Sequence, residues 1–117
     1  MPESSPVLLE KLPGVVVVRV IAETINETNL SAVRSAVAAA GDQSPGDAVA
    51  MDMTKVAFMP SVSLGGLIQL SQLFKARKQR FFLVGLQPVV REMLVLTRLD
   101  RVFEIRADLS EFEVGGP

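Results

Sequence analysis

Apolar residues follow two rhythms along this chain. Residues 7–10 form a short β-like stretch, Leu12-Pro13-Gly14 breaks it, and residues 15–21 are a nearly unbroken β-branched run. That run has no apolar–polar alternation, so it predicts a central strand buried on both faces. The spacing then becomes helical: with Asn26 or Thr28 as N-cap and Glu27 near the positive helix end, Leu30, Val33, Val37 and Ala40 share one face until Gly41 ends the segment. Residues 42–47 contain Ser-Pro-Gly and form a loop, residues 48–53 read as a second buried strand, and Phe58 and Met59 lead into a turn. A helix over 64–78, a third buried strand over 81–85, a Pro88-started helix through Val89, Val90, Met93, Leu94 and Thr97, and a last strand over 102–105 complete the series.

Strands alternating with helices predict an α/β fold: a mainly parallel sheet with helices packed on it and an antiparallel strand at one edge. The 117 residues fit a single domain over 1–117. Its ordered core is expected over about 7–107, while 108–117, ending in Gly115-Gly116-Pro117, has little to anchor it. In such sheets functional groups collect at the carboxyl ends of the strands, where the turn from Met59 to Gly66 lies.

Composition narrows the function. With 49% hydrophobic and 21% charged residues the chain can bury a core, and its apolar runs are too short to cross a bilayer. It has no Cys, hence no disulfide framework, and its first ten residues lack the pattern of a secretory signal, so a cytoplasmic location without membrane attachment is expected. A net charge of −1 and the absence of Trp and Tyr argue against nucleic acid as a partner. The lack of His and Cys removes the commonest general base, the thiolate nucleophile and nearly all zinc ligands. Glu23, Glu27, Asp42 and Asp52 have no metal-binding spacing, and no phosphate-binding Gly-Lys loop or nucleophile elbow occurs. The expectation is a protein-binding module with no catalytic residues, cofactor or metal.

Within the turn, Ser61 or Ser63 suits the N-cap of the following helix, where hydroxyls and free N–H groups point outward. Gly65 and Gly66 would each cost about 1 kcal/mol relative to Ala inside that helix. They serve close packing on the sheet or leave room for a partner's side chain. Apolar positions from Leu64 to Phe74 span an arc of about 220°, wider than the usual stripe of about 100°. Leu70 and Leu73 therefore either form an exposed patch or contact a neighbouring helix. Lys75, Arg77, Lys78 and Arg80 read as a solvated basic helix end.

Residues 85–105, 50–65 and 23–34 together resemble the STAS domain family, which includes bacterial anti-sigma factor antagonists. Gly85-Leu86-Gln87-Pro88-Val89-Val90-Arg91 through Leu96-Thr97-Arg98-Leu99-Asp100-Arg101-Val102-Phe103-Glu104-Ile105 is similar to the family's strand, Pro-started helix and Thr-x-Leu-Asp-x-x-Phe ending. Ala50-Met51-Asp52-Met53-Thr54-Lys55-Val56 through Leu64-Gly65 is similar to its Asp-Leu-Ser strand and Asp-Ser-Ser-Gly-Leu-Gly switch turn. The segment from Glu23 through Thr28 to Arg34 is similar to its Gly-Glu-Leu-Asp loop and first helix. The resemblance implies a STAS-like sheet and binding to a serine kinase-like anti-sigma factor or another signalling protein. In phosphoswitch members that partner phosphorylates the second Ser of the turn. Here the turn's Asp falls on Pro60, its first Ser on Ser61, the acceptor on Val62 and the Gly on Ser63, while the acidic residue of the earlier loop falls on Ile25 or Asn26.

The partner surface expected from this reading comprises Glu23, Asn26 and Thr28 of the loop, Met59, Pro60, Ser61, Val62 and Ser63 of the turn, and Gly65, Gly66, Leu70 and Leu73 of the helix. Ser61 or Ser63 would take over as phosphoacceptor. Two other readings are a STAS scaffold that self-associates, as a homodimer, through the wide helix face, and a small-ligand or nucleotide binder at the helix start.

Overall fold

The computed structural model describes residues 6–110. Strand β1, Val7–Leu12, turns at Pro13-Gly14 and pairs antiparallel with β2, Val15–Val20. Gly14 makes this reversal at φ 79°, a left-handed conformation that side-chain-bearing residues rarely adopt. Helix α1, Leu30–Asp42, leads to β3, Ala48–Asp52, and α2, Ser61–Ala76, leads to β4, Phe81–Val84. Helix α3, Pro88–Leu96, and a short 3-10 turn, Leu99–Arg101, precede β5, Glu104–Arg106.

The sheet order is β1-β2-β3-β4-β5, parallel from β2 onward. Each parallel step moves in the same direction, so right-handed crossovers bring all three helices to one face. The core separates accordingly. Val16, Val18, Val49, Met51 and Leu83 pack with Val33, Val37, Leu67, Phe74 and Leu94 of the helices. Val15, Ala50, Phe82 and Val84 form a smaller cluster on the opposite face with Leu109. Each large apolar side chain buried in this way contributes about 1.5–3 kcal/mol. The β-branched run of β2 is buried along both faces apart from the half-buried Arg19, as its lack of alternation predicts.

Element ends shift where tertiary partners intervene. Helix α1 starts at Leu30 after Asn29, and neither Asn26 nor Thr28 is its N-cap. Asn26 instead builds an Asx turn, its Oδ1 accepting the N–H of Thr28 at 2.9 Å and of Asn29 at 3.2 Å. Gly41 lies inside α1, where a Cβ would strike the Phe74 ring. Helix α2 starts three residues earlier than its apolar spacing predicts, with Pro60 as N-cap and no side-chain cap bond, so neither Ser61 nor Ser63 is the cap. The last strand begins at Glu104 because the Leu99–Arg101 turn inserts before it. Of the segment 108–117, Leu109 packs against the smaller cluster, and residues 111–117 lie outside the described residues, as do 1–5.

Candidate partner-docking surface

Two loops and the first turn of α2 come together beyond the carboxyl ends of β2 and β3. They are stitched by backbone bonds: the Ala57 N–H donates to the Glu23 carbonyl at 2.7 Å, the Phe58 N–H to the same carbonyl at 3.3 Å, and the Ile25 N–H to the Phe58 carbonyl at 3.4 Å. An isolated parallel bridge joins Thr24 to Phe58. Beneath them Ile25, Met53, Val56 and Met59 are fully buried and fill the space between the loops and the core. The Glu23-to-Thr28 loop and the turn therefore form one continuous surface.

That surface has a definite membership. Ser61 and Val62 are exposed, Val62 at 47%, and Pro60 is half-buried. Glu23 and Thr28 are exposed on the neighbouring loop, with Asn26 half-buried between them. Met59 is under the surface. Ser63 is 0% exposed, and its hydroxyl donates to the Ile25 carbonyl. That hydroxyl is closed to solvent, whereas Ser61 is open to it.

Of the two glycines, Gly66 makes a close contact, against α1 and not on the sheet as expected, and Gly65 makes none. A Cβ on Gly66 would lie 2.6 Å from Leu30 Cδ1, so this residue lets α2 approach the start of α1. A Cβ on Gly65 would meet nothing within 4 Å, and the residue is exposed beside the turn. The apolar face expected farther along α2 is not exposed at Leu70, which is 2% accessible, and Leu73 is half-buried. Both pack with the core that α1 shares, the second of the two readings for these residues. What remains there is a small groove of about 230 Å³ that Leu70 and Leu73 line with Arg34 and Gln69.

Asp52, at the end of β3, anchors the base of the loop. Its Oδ1 accepts the Thr54 N–H at 3.0 Å and the Thr54 hydroxyl at 2.8 Å, and its Oδ2 pairs with Arg19 Nε at 3.0 Å. Burial works against the charged carboxylate. The Thr54 N–H, the Arg19 guanidinium and the Thr54 hydroxyl together outweigh burial and hold the carboxyl below its ordinary value. Gly85, at φ 71°, closes over Thr54, and the Gln87 side-chain amide donates to the Thr54 carbonyl at 2.8 Å. Asp52 is thus a structural node. Among the described residues no group of three or more His, Cys, Asp or Glu side chains could hold a metal ion, and no helix is long and apolar enough to span a membrane.

One surface residue is absent from the sequence-derived set. Phe58 is 50% exposed, immediately before the turn. Its signal in the sequence was an aromatic next to Met59-Pro60 that belongs to no periodic run. Phe58 and Val62 give the rim an apolar character flanked by Ser61 and Gly65.

A five-stranded sheet in sequential order, with its helices on one face and a loop surface at the strand ends, defines a small α/β domain. The profile of the STAS domain matches residues 6–112, and the chain belongs to the STAS domain family. Solved structures share the fold. An anti-sigma-factor antagonist (STAS) domain protein from Planctomyces limnophilus is 21% identical with a TM-score of 0.80, the match covering 93% of this chain and 96% of that one. An anti-sigma factor antagonist from Mycobacterium paratuberculosis is 28% identical with a TM-score of 0.78, covering 93% and 91%. The anti-sigma factor antagonist SpoIIAA, in its unphosphorylated form, is 18% identical with a TM-score of 0.73, covering 95% and 97%. No curated protein matches the sequence.

Proposed function

We propose that this STAS protein acts as an anti-sigma factor antagonist, or a close functional equivalent, by docking onto a serine kinase-like anti-sigma factor or a related signalling protein in the cytoplasm. Its contribution is regulation by binding, not catalysis. The reading is supported by family membership and by one observation above all: the exposed Phe58 and Val62 lie on a turn held from beneath by backbone bonds and a buried hydroxyl. A preformed apolar rim binds with little further loss of conformational entropy.

Val62 has no hydroxyl, so docking does not depend on modification at that position. Ser61 is the accessible hydroxyl, and a phosphate there would sit at the first residue of α2, where the helix dipole favours negative charge. Intact-mass measurement after incubation with the partner kinase tests this, with one added phosphate on the wild type and none on Ser61→Ala as the expected result.

The docking itself is tested by titrating purified anti-sigma factors from the same genome against this protein by calorimetry. One of them should bind, and Val62→Glu should weaken it by about tenfold or more, as loss of a contact residue worth over 1 kcal/mol would. Binding by none, or binding unmoved by both Val62→Glu and Phe58→Ser, would sink the proposal.

A further inference from the structure

The far end of α2 carries a feature that docking at the turn does not use. Sixteen residues of helix place it about 24 Å from Ser61. There a groove of about 330 Å³ opens between the end of α2 and the start of β5, within the size range of small recognition pockets. Its walls combine Lys75, Lys78 and Arg80 with Phe81, Val102 and Glu104.

Charge is strongly one-sided in this groove. The single carboxylate, Glu104, is already engaged by Arg80 at 3.3 Å and by Arg106 at 3.7 Å. Among the described residues Lys75 and Lys78 have no ion-pair partner. Lys78 also sits at φ 59°, the left-handed position after a helix that glycine or asparagine usually takes, and a glycine there would remove one of the groove's cations. The floor is apolar and firm, because Phe81 stacks on the fully buried Phe74 with ring centroids 4.9 Å apart. Val102, 48% exposed, also lines the groove.

These properties select among anions. The carboxyl end of a helix presents carbonyls and supplies no cradle of N–H groups for a compact phosphate dianion. Both ring systems at the floor are buried, leaving no platform on which a nucleic-acid base could stack. Lysines are point charges on long flexible stems, suited to separate carboxylates on either side of an apolar anchor. We propose that this groove is a second protein-docking site, which takes an acidic peptide segment of a partner with one aliphatic or aromatic side chain between its carboxylates. The carboxylates reach Lys75 and Lys78, and the anchor rests against the exposed Val102.

The test is an amide-resolved NMR titration of the whole chain with the capped peptide Glu-Glu-Leu-Phe-Glu-Glu, alongside its lysine counterpart Lys-Lys-Leu-Phe-Lys-Lys and inorganic phosphate. Saturable shifts at residues 75–81 and 102–104 are expected with the acidic peptide, without shifts at 58–66. The double variant Lys75→Glu, Lys78→Glu should weaken it by about tenfold or more, and Lys75→Arg, Lys78→Arg should retain it. An unchanged dispersed spectrum for both variants separates loss of binding from loss of fold. Absence of saturable shifts, equal binding of the lysine peptide, shifts confined to 58–66, or phosphate binding as tightly at the same residues would each overturn the proposal. Because the readout needs no anti-sigma factor, its failure is distinguishable from failure of docking at the turn.

Discussion

The two ends of α2 are built from the same kind of amphipathic helix and leave opposite surfaces behind. At the first turn the fold consumes a polar group, since Ser63 is buried against the Ile25 carbonyl, and leaves apolar Val62, like Phe58 before the turn, in solvent. At the last turn it consumes Phe74 in the core, and Gln79, whose amide reaches the carbonyls of Gly41, Ser44 and Asp47, leaving Lys75 and Lys78 in solvent. The surface at each end is what packing did not use. A rim left apolar suits a flat hydrophobic contact, and an end left cationic suits a charged one.

The contrast can be broken most directly at its heaviest anchor. Phe74→Ala should cost about 3–5 kcal/mol in denaturant unfolding, the usual range for a buried phenylalanine, and a loss under about 1 kcal/mol would show that the groove floor is not part of the core. Next come the two serines of the turn. Ser63→Ala removes the donor to Ile25 and should cost about 1–3 kcal/mol, while Ser61→Ala should stay within about 0.5 kcal/mol. Equal losses at the two positions would erase the distinction drawn between them.

The glycines sharpen the comparison at smaller scale. Gly65→Ala should raise the stability by up to about 1 kcal/mol, because the new methyl meets nothing and helix propensity improves. Gly66→Ala should lower the melting temperature, since Leu30 has to move. A stabilised Gly65→Ala that also binds the partner less well would show that the missing side chain serves docking. Most gradual is the acid response of the anchor below the turn. The folded carboxyl of Asp52 titrates below the unfolded value of about 3.9, so its contribution is fully present above that pH and is lost as pH falls through the lower folded value. The stability difference between the wild type and Asp52→Asn should therefore shrink across that acid window in pH-dependent unfolding. A difference that grows there would reverse the sign assigned to this carboxylate.

Several elements could be read with no neighbour in view. The β-branched run of β2, the Pro13-Gly14 reversal and Pro88 at the start of α3 each express a local preference strong enough to survive folding. Other features were decided at a distance. Ser63 and Ser61 look equivalent in the sequence, yet Ser63 meets a carbonyl 38 residues away. Leu70 and Leu73 widen the apolar arc of α2 because α1 lies against it, which periodicity alone could not separate from an exposed patch. Phe58 leads into the turn in the sequence, but local pattern does not decide whether an aromatic there is buried or exposed.

By itself, then, the amino-acid sequence determined the alternation of strands and helices, the antiparallel edge, the family and the stretch of chain where the strand-end surface lies. It also determined that the turn carries Pro60 and Val62 where the family resemblance implies an acid and a phosphoacceptor, because residue identities need no coordinates. Only the tertiary structure decided which serine is accessible, which glycine is open, that Phe58 joins the rim and that Lys75 and Lys78 flank a groove. Propensity and periodicity act over a few residues, and those the chain declares. Burial depends on which distant segments arrive alongside, and for a helix with apolar residues around most of its circumference that is settled only when α1, β4 and β5 are in place.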